Sequence, residues 1–135
     1  MDIKTLDALV AADEEGATIT IYQKGGDPYL AADGTESTMT VLGSESKQYR
    51  AAKRQITDRM MKRRRATMSA EDVERNAIFL AASAVVGWHG WESGKDKLEC
   101  TPDNLRLVLA IEHIRDQVEE AIRGHSDFFI PPSKG

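Results

Sequence analysis

Four side chains in this chain of 135 residues are the usual carriers of acid–base, nucleophilic or metal chemistry: His89, His113, His125 and Cys100. No two of the histidines have the i, i+4 spacing that sets a pair of imidazoles on one helix face around a metal. His113 directly follows Glu112, and neighbouring helical residues point in different directions. Cys100 stands just before Pro102, where a helix should begin, and a thiol at a helix N-terminus ionises more readily. Without a matched histidine, the same residue reads as a small buried hydrophobe. Gly25-Gly26 and the Gly87 to Gly90 stretch match neither a phosphate-cradling Walker loop nor a dinucleotide fingerprint. A single cysteine excludes an internal disulfide and a thiolate-rich zinc site, and it favours a reducing compartment. These spacings predict no catalytic residue, no metal site and no cofactor, hence a protein that is not an enzyme.

Two features suited to partners remain. The net charge of −4 conceals an asymmetry: nine of the 18 basic residues fall between positions 47 and 65, where Asp58 is the only acid. Arg50, Lys53, Arg54, Arg63, Arg64 and Arg65 form the basic face offered to a partner. The plainer reading is that this face is solvated or docks on the chain's own acidic remainder. A nucleic-acid module would be basic overall and would interleave aromatics with its cations. The pI of about 5.4 and the absence of any aromatic interleaved in the Lys62-Arg63-Arg64-Arg65 run disfavour that partner. The second feature is the pair Trp88 and Trp91 in one short loop. It serves either as a client-facing edge or as a plug on the core, since tryptophan is mostly buried.

The elements that must carry these residues can be read from periodicity. A short helix is expected around residues 5–12. Residues 17–23, ATITIYQ, alternate β-branched residues with period two and predict a strand. Residues 37–42, STMTVL, predict its partner, with Met39 and Val41 on one face. Together they form a long-looped hairpin that must lean on other elements to be stable. Helix one is expected over residues 44–65, capped by Ser44 or Ser46. Its apolar stripe is Tyr49, Ala52, Ile56 and Met60. Helix two opens at the N-cap Ser69, with Glu71 and Asp72 in its first turn. It is expected to run through Val85 and Val86 and to end at a left-handed Gly87. Thr101 caps a last helix with Pro102 at its first position. Its pattern runs to Gly124, continuous or broken near residues 110–112. The tail carries Phe128 and Phe129, which should pack on the body, and then an extended, mobile Pro131-Pro132 segment.

Length and composition allow one domain with a real core. The first residues lack a basic leader and a long apolar stretch, so a secretion signal is not expected. The longest apolar run, residues 77–86, is about half the roughly 20 residues that span a bilayer. The expectation is therefore a soluble chain with no membrane contact. The fold expected is α+β and mainly α, in one domain of residues 1–135. A small β-hairpin over 17–43 precedes a three- to four-helix bundle over 44–124 and a flexible tail over 125–135.

In order and spacing, several segments resemble the tail assembly chaperones of long-tailed bacteriophages. They are Met39-Thr40-Val41-Leu42-Gly43 leading into Ser44-Glu45-Ser46-Lys47-Gln48-Tyr49-Arg50, and the helix through Leu80 to Val86 ending in Gly87-Trp88. Cys100-Thr101-Pro102-Asp103-Asn104, Ile114-Arg115-Asp116-Gln117-Val118 and Phe128-Phe129 continue the likeness. It covers roughly residues 17–130, and Trp91 and the long hairpin loop depart from it. The resemblance implies a non-enzymatic role in virion morphogenesis, in the cytoplasm of the host bacterium. Such chaperones coat the tape-measure protein, keep it in solution, help recruit tail-tube protein and are absent from the mature virion. Self-association fits the hairpin edge, which could join copies by strand pairing. The competing classes are a small nucleic-acid-binding regulator using residues 47–65 and a structural head–tail completion protein.

Overall fold

The computed structural model describes residues 2–63 and 68–124. Its first helix, α1 (Ile3–Glu15), extends the short helix expected at 5–12 by a few residues at each end. The Asp2 carboxylate accepts from the Lys4 N–H at 3.1 Å and caps it. Gly16 ends it with φ of 79°, a conformation that side-chain-bearing residues avoid, and an added Cβ there would lie 2.7 Å from the Val41 carbonyl oxygen. Asp13 ties this end to the body. Its carbonyl accepts from the Gly43 N–H at 2.9 Å, and its carboxylate accepts from the Glu45 N–H at 2.8 Å.

The two predicted strands form as β1 (Ala17–Thr20) and β2 (Thr38–Val41), antiparallel, with Ile19 opposite Met39. Met39 and Val41 are fully buried, as their shared face required. On the other face the Thr18 and Thr40 hydroxyls bond at 2.9 Å. The long connection doubles back on itself. Tyr29 donates its N–H to the Ile21 carbonyl and accepts from the Ser37 N–H, which wedges it between the two ends of the hairpin.

After this hairpin come α2 (Lys47–Arg63) and α3 (Ala70–Ala84). The start of α2 falls three residues later than expected. Buried Ser46 caps it, its hydroxyl accepting from the Tyr49 N–H and its carbonyl from the Arg50 N–H. The apolar stripe is buried at Ala52, half-buried at Tyr49 and Ile56, and open at Met60. The far end of α2 therefore leaves the core. Ser69 caps α3, as expected, and Asp72 bonds back to it to close a capping box.

One expectation is overturned. Helix α3 stops at Ala84, and Val85–His89 form a third strand, β3, paired antiparallel with β2 in the order β1-β2-β3. Gly87 is not a left-handed cap; it pairs opposite Thr40 inside that strand. Two physical causes combine. Val85 and Val86 are β-branched and fit a pleated strand better than a helix. The free edge of β2 offers hydrogen bonds that a helix end would leave unmet. The Leu42 N–H to Ala84 carbonyl bond, 2.7 Å, marks the point of change. The hairpin of 17–43 is thus completed by a strand from within the expected bundle.

A two-residue ribbon follows, β4 (Glu92–Ser93) with β5 (Asp96–Lys97). Then come α4 (Pro102–Leu109) and α5 (Glu112–Arg123), the broken alternative of the last helix. Thr101 caps α4 through the Asn104 N–H. At the break, buried Arg115 donates to the Leu109 carbonyl at 2.9 Å, placing a cation at the C-terminal end of α4. The core joins Ile21, Met39, Val41 and Leu42 of the hairpin to Ala81 and Ala84 of α3, Leu109 of α4, and Ile114, Val118 and Ile122 of α5. Among the described residues no helix is long and apolar enough to cross a membrane.

Candidate partner-binding surfaces

The basic face of α2 is present and open. Arg50, Lys53 and Arg54 are all exposed. Some of the basicity is used within the chain. Arg63 pairs with Asp72 on α3 at 3.4 Å, and Arg59 lies over the Phe79 ring at 5.3 Å. Lys53 sits 5.9 Å from the centre of the Tyr49 ring. The Tyr49 hydroxyl is pushed up from its ordinary value by burial, with Glu119 of α5 adding to it. So the reading in which helix one docks on its own acidic neighbours holds at Arg63, while Arg50 and Arg54 stand exposed in the first half of the helix. Arg64 and Arg65 lie outside the described residues, as do Phe128 and Phe129.

The two tryptophans do not form one exposed loop. Trp88 belongs to β3, and Trp91 follows it and is buried. Each indole is anchored by its N–H, Trp88 to the Leu98 carbonyl at 3.0 Å and Trp91 to the Thr38 carbonyl at 3.1 Å. Their rings lie 5.8 Å apart, Trp91 continues onto Tyr29 at 5.9 Å, and Tyr29 onto His113 at 5.8 Å. A buried, satisfied indole gives a client nothing to bind, so Trp91 is a core residue and the client-facing role assigned to it is withdrawn. Trp88 is half-buried.

Folding brings together polar groups that are far apart in the chain. The Tyr29 hydroxyl bonds His113 Nε2 at 2.6 Å, and the Thr35 hydroxyl bonds His89 Nε2 at 2.7 Å and the Asp33 carboxylate at 2.6 Å. The Asp33 carboxyl is held below the usual carboxylate range, chiefly by the Thr35 hydroxyl. In a nucleophilic triad the carboxylate orients the imidazole; here it accepts from the hydroxyl, which spends the hydroxyl proton on a turn. Burial raises the Cys100 thiol, against the lowering that a helix N-terminus would bring. Among the described residues no cluster of three His, Cys, Asp or Glu is placed to hold a metal ion.

The sequence reading passed over α1 as a surface. Ile3, Leu6 and Val10 fall three and four apart and share one face, with Leu9 beside them. Ile3 is 71% exposed, Leu6 43% and Leu9 41%. Among the described residues no other helix or strand makes an extensive contact with α1, whose C-terminal end, at Glu14, lies beside Lys47 and Arg50 of α2. Only the spacing of these few apolar residues could have signalled the face, and spacing does not say whether a neighbour will cover it. A second open surface is a groove of about 340 Å³ between β1 and α5, lined by Ile19, Thr20, Tyr22, Gln117, Glu120, Ala121 and Gly124.

Comparison of the chain with protein-family models, with curated proteins and with solved structures gives no match.

Proposed function

We propose that this chain is a polypeptide-binding chaperone of the phage tail assembly kind, which holds a tape-measure protein in solution and helps bring tail-tube subunits to it. The observation that carries the reading is α1, an amphipathic helix anchored at one end with its apolar face largely exposed among the described residues. A long helical client has apolar stripes of its own, and a second helix laid along such a stripe is the simplest way to cover it. Covering Ile3, Leu6 and Leu9 yields roughly 1–2 kcal/mol per side chain, since each is already partly covered. The cost of association takes back much of that sum. One copy would bind weakly, and many copies along one client would bind firmly, as coating demands. The open cations Arg50, Lys53 and Arg54 add steering toward acidic stretches of the client. The site of action in this reading is the host cytoplasm during assembly.

Co-expression with the tape-measure protein of the same virus tests the proposal. The client should move from the pellet to the soluble fraction with the native chain, and stay in the pellet with Leu6→Glu and Leu9→Glu combined. An unchanged pellet with the native chain contradicts it. Recovery of the chain from purified virions would assign it instead to a structural completion role.

A further inference from the structure

The apolar face of α1 and the basic face of α2 meet at one cleft. Glu14, in the last turn of α1, lines a cavity of about 190 Å³ together with Lys47, Arg50, Ala51 and Arg54 of α2. Residues three and four apart are neighbours on a helix, so Val10 lies one turn before Glu14 on the same side, and Ile3 and Leu6 continue that side toward the N-terminus. Ile3 and Leu6 are exposed and Val10 is half-buried. Among the described residues, a rod laid along this side of α1 therefore runs from exposed apolar surface into the cleft. The charge along its path is uneven. Asp7, between Ile3 and Val10 on that side, is exposed, while the cleft sets three cations against the one carboxylate of Glu14.

We propose that α1 and the start of α2 form one composite site, and that its occupant is a helix of another polypeptide with an apolar stripe and carboxylates at one end. The inference rests on the reading of α1 as the client-holding helix and adds the chemistry of the client. The stripe seats on Ile3, Leu6 and Val10, and the carboxylates reach Lys47, Arg50 and Arg54. Exposed ion pairs contribute little each, so the cations select and orient the helix more than they hold it. Asp7 repels a carboxylate placed over the middle of the stripe, which confines the acids to the end that overlies α2. A second copy's α1 does not meet this requirement. Its clustered acids, Asp13, Glu14 and Glu15, are at the end that Asp13 bonds to its own Gly43 and Glu45. A nucleic acid brings negative charge but no apolar stripe to cover Ile3 and Leu6.

Titrating the isotope-labelled full-length chain with two synthetic helical peptides tests this by NMR. Both carry leucines three and four residues apart; one ends in a run of glutamates, the other in glutamines. Both should shift the amides of residues 3–12. The glutamate peptide should also shift residues 47–54 and bind at least about threefold more tightly at low salt, the scale of one or two exposed ion pairs. That advantage should fade as salt rises. Arg50→Glu/Arg54→Glu should reverse the preference; both positions are exposed and in the first half of α2, where acids suit the helix dipole, so the fold is kept. Equal binding of the two peptides at residues 3–12 overturns the composite site and leaves α1 as the client-holding helix. Failure of both peptides to shift α1 overturns both readings. Shifts of residues 3–12 produced by raising the chain's own concentration overturn the proposal in favour of a second copy.

Discussion

The side-chain amide of Gln117 clasps the backbone of Tyr22 from both ends. Its Oε1 accepts from the Tyr22 N–H at 2.8 Å, and its Nε2 donates to the Tyr22 carbonyl at 2.8 Å. Residues 95 apart in sequence thus form the pair of bonds a neighbouring strand would make, and α5 is fixed against the end of the hairpin. Removing the clasp by Gln117→Ala should cost about 1 kcal/mol, since water replaces part of what is lost at this exposed site. Urea unfolding checks it, as a fall in midpoint at unchanged slope.

Gly43 has no room for a side chain, because a Cβ would fall inside the Asp13 carboxyl group. That carboxylate holds the Glu45 N–H and so anchors α1. Gly43→Ala should free α1, with a destabilisation of roughly 1–3 kcal/mol. Circular dichroism should record a loss of helix, while the indole fluorescence of Trp91 stays native. Unchanged helicity would mean that α1 is held by something other than Asp13.

The indoles of Trp88 and Trp91 differ in burial, so their removal should differ in cost. Trp91→Ala leaves a cavity and removes the indole bond to the Thr38 carbonyl, and should cost about 3–5 kcal/mol. Trp88→Ala should cost less, its ring being half open already. Paired denaturation curves decide the order. A larger loss at Trp88 would contradict the placement of Trp91 in the core.

The capping box of α3 predicts acid sensitivity. Asp72 accepts from the Ser69 N–H at 3.3 Å, and that backbone bond, followed by the Ser69 hydroxyl, holds its carboxyl below the usual range. A carboxyl whose folded pKa is depressed stabilises the fold fully above its unfolded pKa, and the stabilisation is lost as pH falls through the folded pKa. The native chain should therefore lose stability faster than Asp72→Asn as pH drops below about 4. Urea midpoints measured across that range test the sign, and parallel curves would refute it.

What could be read from the sequence was local. Ser69 with Asp72, and Thr101 with Pro102, mark helix starts because capping involves only a few adjacent residues. Met39 and Val41 could be assigned to a buried face because a strand alternates with period two. The identity of Val85–His89 could not be read, since an apolar run is compatible with helix or strand and the choice was made by the β2 edge some forty residues away. The same holds for Tyr29 against His113 and for Gln117 on Tyr22, where the partner is 84 and 95 residues distant. The exposed face of α1 was hidden for the opposite reason. Its residues look like any core-facing stripe, and among the described residues no helix or strand covers it extensively.

The central claim is that α1 is the surface that holds a polypeptide. Titrating the isotope-labelled full-length chain with a helical segment of the tape-measure protein, at physiological salt, tests it most directly. Amide shifts should concentrate on residues 3–12, vanish in Leu6→Glu/Leu9→Glu, and be absent when duplex DNA replaces the peptide. Shifts confined to Arg50, Lys53 and Arg54 and produced by DNA would contradict it, as would a client segment that leaves α1 unmoved.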